Sequence, residues 1–107
     1  MSRIKMSKIT IRPDKDIFFN DPSIDLTQSN DLYTTATQNG TIESVTEILS
    51  DDELTATKEI IFPSFEAWDA FDVAERQLNT SGGTRATNRN YRITNKMIMI
   101  TKFESAD

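Results

Sequence analysis

The sequence predicts an α+β domain in which an antiparallel sheet carries two helices on one face. Several stretches alternate polar and apolar residues with the period of two that is typical of half-buried strands. Another stretch repeats large apolar residues at the three- and four-residue spacing of a helix packed on a core. The chain has 107 residues, enough for one domain with a single modest core. Residues 1–107 are therefore predicted to form one domain, with residues 1–6 frayed.

The first two elements are a strand and a helix. Residues 8–12 alternate polar and apolar side chains and predict the strand. Asp21-Pro22 resembles a helix start, because Asp caps free amide groups and Pro fits the first helical position. Asn39-Gly40 resembles a helix end, because glycine adopts the left-handed conformation there. Residues 22–38 are predicted to be a helix, with an ordered loop as the alternative because many of them are poor helix formers.

A β-hairpin follows the glycine. Residues 41–49 are rich in β-branched side chains, Ser50-Asp51-Asp52-Glu53 resembles a turn, and residues 54–62 alternate again. Pairing Leu49 with Leu54 leaves both faces of the hairpin partly apolar. Such a sheet needs helices on one face and a second covering on the other. We therefore expect two copies of the chain to pack sheet to sheet.

The clearest helix follows Ser64, a favourable N-cap residue. Its apolar residues form one stripe: Phe65, Trp68, Phe71, Ala74 and Leu78. Ser81-Gly82-Gly83 is predicted to end the helix, because glycine commonly follows a last turn.

The C-terminal part of the chain predicts a polar loop over Thr84–Asn90 and a strand over Tyr91–Glu104. The apolar run Met97-Ile98-Met99-Ile100 indicates burial on both faces of this strand. The predicted order is strand, helix, strand, strand, helix, strand. This βαββαβ order is the ferredoxin-like plan.

Composition excludes several kinds of chemistry. The chain has no Cys and no His, so thiolate and imidazole catalysis and the usual zinc sites are excluded. No apolar run approaches the roughly 20 residues of a membrane span, and no signal peptide is evident. We expect a soluble cytoplasmic protein with no cofactor and no metal.

Residues 40–71 resemble the hairpin and second helix of dimeric α/β-barrel proteins of the antibiotic-biosynthesis monooxygenase-like group. The resemblance lies in Gly-Thr-Ile-Glu-Ser, Leu-Ser-Asp-Asp-Glu-Leu-Thr and Phe-Pro-Ser-Phe-Glu-Ala-Trp-Asp-Ala-Phe. It implies a homodimer with two sheets face to face and a ligand pocket at Trp68, Phe71 and Asp72. Some active members use a histidine and a first-strand asparagine, and neither is present here. Trp68 is therefore interpreted first as a core residue, with the pocket as the alternative.

Arg85, Arg89 and Arg92 are the densest positive charge in the chain. They predict an anion or nucleic-acid site, since one guanidinium group can donate two parallel hydrogen bonds to the oxygens of a phosphate. The net charge of −5 argues against a nucleic-acid partner and favours solvated charges or a partner's carboxylates.

The function predicted from the sequence is that of a small homodimeric interaction or structural protein without enzymatic activity. Its partners would be a second copy and another protein, and its composition suits a bacterial or bacteriophage accessory protein. The alternatives are a cofactor-independent monooxygenase or small-ligand binder with a pocket at Trp68, and an anion binder at the arginines.

Overall fold

A computed structural model of the chain describes residues 2–78 and 84–107. The described residues form four strands and three helices: β1 (Ile4–Ile11), α1 (Thr27–Gln38), β2 (Ser44–Leu49), β3 (Thr55–Phe62), α2 (Phe65–Gln77), α3 (Thr84–Thr94) and β4 (Ile98–Ser105). The strands make one antiparallel sheet in the order β2-β3-β1-β4. The predicted α+β class is confirmed, and the architecture is compatible with the ferredoxin-like plan. The third helix is an addition to the two that were predicted.

Strand β1 begins earlier than predicted. Ile4 pairs with Phe62 on one side and with Ser105 on the other, and Met6 is buried. The predicted fraying of residues 1–6 is therefore wrong for positions 4–6. These residues are ordered because β1 is a central strand with a hydrogen-bonded neighbour on each side.

Helix α1 begins at Thr27 rather than at Pro22. The Asp21 carboxylate accepts hydrogen bonds from both the backbone amide and the hydroxyl of Ser23, at 2.9 and 2.7 Å. Asp21 therefore closes a local turn instead of capping a helix. The predicted helix is confirmed from Thr27 onward, and it buries Ala36 against the sheet.

The predicted hairpin is confirmed, but its register differs by two residues. Leu49 pairs with Ala56 instead of Leu54. The turn is longer than expected because two hydrogen bonds join Ser50 to Thr55. The Ser50 amide donates to the Thr55 carbonyl, and the Ser50 hydroxyl accepts from the Thr55 amide, each at 2.9 Å. A shift of two residues keeps every side chain on its predicted face.

Helix α2 begins as predicted, with the Ser64 hydroxyl accepting from the Ala67 amide at 3.2 Å. The apolar stripe is rotated from the predicted one. Phe71 is 3% exposed, whereas Phe65 is 59% exposed and Glu75 is buried one turn after Phe71. The predicted stop at Ser81-Gly82-Gly83 lies outside the described residues.

Helix α3 lies where a loop over Thr84–Asn90 and the start of a strand at Tyr91 were predicted. The predicted loop is therefore wrong, and the last strand begins at Ile98 instead of Tyr91. The polar residues of α3 bind the segment that precedes α1. The Asn88 amide donates to Asn20 Oδ1 at 2.8 Å, and the Tyr91 hydroxyl donates to the Phe18 carbonyl at 2.7 Å. These tertiary hydrogen bonds explain why a segment with weak helix propensity is helical here.

Helix α3 ends in a Schellman motif. The amide of Met97 donates to the carbonyl of Arg92, and the amide of Lys96 donates to the carbonyl of Ile93, at 2.9 and 3.0 Å. Lys96 adopts the left-handed backbone conformation that the motif requires, with φ of 59°. The chain then enters β4.

One face of the sheet holds the core. Its buried residues are Met6, Ala36, Ile42, Ile60, Phe62 and Phe71, with Leu32, Tyr33, Val45, Ala67 and Trp68 packed against them. The strand residues of this cluster all lie on the face toward α1 and α2. We call the opposite side of the sheet the open face. The molecule is thin, with extents of 41 × 34 × 18 Å.

Candidate functional site

The open face carries an isoleucine patch, which consists of Ile9, Ile11, Ile48, Ile98 and Ile100. The register places Ile48, Thr57, Ile9 and Ile100 in one row across all four strands. Ile11 and Ile98 lie opposite each other in the next row on this face. Directly paired side chains lie about 4.5–5.5 Å apart, so the two Ile–Ile pairs of β1 and β4 form one apolar surface. Thr57 separates Ile48 from it. Ile48, Ile98 and Ile100 are exposed. The apolar run at residues 97–100 was predicted to be buried on both faces, and this prediction is wrong for residues 98–100, since only Met97 is buried.

The other end of the open face is charged. Lys5 Nζ lies 3.2 Å from a carboxylate oxygen of Glu59 and 3.2 Å from one of Glu104. Hydrogen bonds to these two carboxylates raise the pKa of Lys5. Lys102 lies in the adjoining row, opposite Ser7. The open face therefore has an apolar half and a polar half.

An aromatic groove of about 450 Å³ lies on the other side of β4, at the start of α2. Trp68 forms its wall, with ring centroids of Phe65 and Phe103 each 5.4 Å from the Trp68 ring. The residues of the predicted pocket are not brought together here. Phe71 packs in the core against Tyr33 and Phe62, and Asp72 pairs with Arg76 at 2.8 Å.

The three predicted anion-binding arginines lie on α3 in different surroundings. Arg92 is half-buried, and its guanidinium donates to the Phe19 carbonyl at 3.0 Å and to Asn20 Oδ1 at 2.7 Å. Burial lowers the pKa of Arg92. Arg85 approaches Glu75 with an Nε–Oε1 distance of 4.0 Å, while Arg89 is exposed. Arg92 is thus already used in holding the segment before α1.

A polar cluster lies between the sheet and the helices. Glu75 accepts from Lys8 Nζ at 3.1 and 3.2 Å and from the Tyr33 hydroxyl at 3.1 Å. Burial, followed by the charge of Glu75, raises the pKa of Tyr33. Sequence reasoning missed this cluster. Its one visible signal was Lys58, which the alternation of residues 54–62 places on the same face as Ile60 and Phe62.

Lys58 stands beside this cluster. Its Nζ lies 4.3 Å from the centroid of the Tyr33 ring and 3.6 Å from Glu47 Oε1. Burial lowers the pKa of Lys58, and the positive charge of Lys8 adds to that effect, while Glu47 opposes it. The positive charge of Lys58 is therefore only weakly neutralised by its acidic neighbour Glu47.

Comparisons with protein-family models, with curated proteins and with solved structures gave no match. None of the helices described within residues 2–78 and 84–107 is long and apolar enough to cross a membrane. Over the same two ranges, no group of three or more acidic side chains is arranged to hold a metal ion.

Proposed function

We propose that the protein is a non-enzymatic interaction protein that works as a homodimer, with two copies packed open face to open face. The observation that carries this proposal is the isoleucine patch. Large apolar side chains that remain exposed together on a sheet commonly mark an interface. The resemblance of residues 40–71 to dimeric α/β-barrel proteins supports the same arrangement, because their homodimers cover this face of the sheet.

Analytical ultracentrifugation tests the proposal with a matched pair of variants. Ile98 on the open face and Ile93 on α3 are 56% and 55% exposed. The parent protein at micromolar concentration should sediment at about twice 12.2 kDa. Ile98→Lys should sediment as a monomer, because a charge would be buried without a partner. Ile93→Lys should remain a dimer.

Circular dichroism of both variants controls for folding. A parent chain that stays monomeric at high micromolar concentration would contradict the proposal. Equal dissociation by Ile98→Lys and Ile93→Lys would contradict the choice of face.

The aromatic groove supports a second candidate function, which is small-ligand binding. Its volume of about 450 Å³ exceeds the roughly 300 Å³ at which ligand sites begin. Trp68 is the only tryptophan, so its fluorescence reports on the groove directly. An aromatic probe such as anilinonaphthalene sulfonate, whose rings fit an aromatic groove, should quench Trp68 saturably, and Phe103→Ala should weaken that quenching. Quenching that does not saturate would remove this candidate.

A further inference from the structure

A second groove, which we call the α1 groove, lies between α1 and the β2–β3 hairpin. It has a volume of about 490 Å³ and opens on the helix side of the sheet, away from the open face. Tyr33 and Val45 supply its apolar surface, and Lys58 and Glu47 supply its charges. The groove therefore combines an aromatic ring with an ammonium group, a pairing that suits a small polar ligand.

The ammonium group of Lys58 has unused hydrogen-bonding capacity. It has three N–H donors, and the 3.6 Å separation from Glu47 is longer than a hydrogen bond. The Glu47 side chain is 74% exposed, so its pairing with Lys58 contributes little and is easily exchanged. An anionic ligand that displaced Glu47 would pair with the partly desolvated ammonium group of Lys58, and only the weak Lys58–Glu47 contact would be lost.

The charges around the groove favour an anion of a single charge. Lys8, Lys58 and Arg85 provide three positive charges, and Glu47 and Glu75 provide two negative ones. The balance is +1. Within the cluster Lys8 is held by Glu75, which leaves Lys58 as the group that faces the groove. A carboxylate matches this balance better than a phosphate dianion.

The polar face of α1 supplies the other contacts. Asn30, Thr34 and Gln38 repeat every four residues, so they stand in one line along the helix, and all three line the groove. Thr and Asn are weak helix formers, so their presence costs helix stability. In the groove their hydroxyl and amide groups are donors and acceptors for a hydroxylated molecule.

We propose that the α1 groove binds a small hydroxylated carboxylate, with the carboxylate paired to Lys58 and the hydroxyl groups bound by Asn30, Thr34 and Gln38. The Tyr33 ring forms the apolar side of this site. The site is separate from the isoleucine patch, so binding does not depend on dimerisation.

Titration of the ¹⁵N-labelled protein with sodium D-gluconate, followed by NMR at constant ionic strength, tests the proposal. Amide shifts should saturate for residues of α1, β2 and β3 that line the groove. Lys58→Met should weaken binding by about tenfold or more, because a charged hydrogen bond is lost. Lys102→Met, on the same sheet but on the open face, should bind as the parent does. The Ile98→Lys variant should also bind gluconate unchanged.

Two further probes define the chemistry. D-Glucitol, which lacks the carboxylate, should bind at least about tenfold more weakly than gluconate. Inorganic phosphate at about pH 8, where it is mainly a dianion, should also bind more weakly than gluconate. The proposal is overturned if gluconate gives no saturable shifts by about 50 mM, a concentration beyond millimolar affinity. Equal binding by Lys58→Met and the parent, or by glucitol and gluconate, would overturn it as well.

Discussion

At the scale of single residues, the most consequential position is Glu75. A charged side chain lies where the helix pattern calls for an apolar one, and it is buried because Lys8 and Tyr33 supply its hydrogen bonds. A buried carboxylate is tolerated only when it is paired in this way. The position could not be predicted because its partners come from β1 and α1, far away in the sequence.

The phenol of Tyr33 predicts a loss of stability at alkaline pH. Its pKa is raised above the ordinary value of 10.0, so the folded chain keeps this proton where an unfolded chain has lost it. The unfolded state then binds fewer protons, and the free energy of unfolding falls as the pH rises above about 10. Urea unfolding between neutral and alkaline pH should show this slope in the parent protein.

Tyr33→Phe removes the titrating group and should flatten this slope. The lowered pKa of Lys58 acts in the opposite direction, because its unfolded state binds more protons as the pH approaches 10.5. Lys58 is common to both proteins, so it cancels in the comparison. Identical slopes for Tyr33→Phe and the parent would show that Tyr33 titrates normally.

At the scale of elements, α2 was predictable because its signals are local. The Ser64 cap lies next to the helix it starts, and the spacing of Phe71 from its apolar neighbours is read directly from the chain. Helix α3 was not predictable for the opposite reason. Its hydrogen bonds go to Asn20 and Phe18, and its end is formed by Lys96, a residue that gives no glycine signal.

The cap of α2 gives a prediction at this scale. Ser64→Ala removes the hydroxyl that accepts from the Ala67 amide and should lower the free energy of unfolding by about 1 kcal/mol. Ser44→Ala, an exposed change on β2, should stay within about 0.5 kcal/mol of the parent. Chemical denaturation of the three proteins measures the difference. Equal stabilities would mean that solvent satisfies the Ala67 amide.

At the scale of the whole molecule, the antiparallel sheet was predicted from the order of the elements, and a second apolar face was predicted from strand alternation. Alternation fixes which residues share a face but not which residues are neighbours across strands. The row that joins Ile48, Ile9 and Ile100 therefore depends on the register of all four strands, and that register appears only in the folded chain. The grooves depend in the same way on how helices sit over the sheet.

The thinness of the molecule has a consequence for solution scattering. A slab 18 Å thick and 41 Å long becomes nearly equidimensional when two copies stack across an inter-sheet spacing of about 10 Å. Two copies joined at the β4 edges would instead form a long, flat plate. The pair-distance distribution of the particle therefore distinguishes stacking from lateral extension of the sheet, even before any atomic detail of the contact is known.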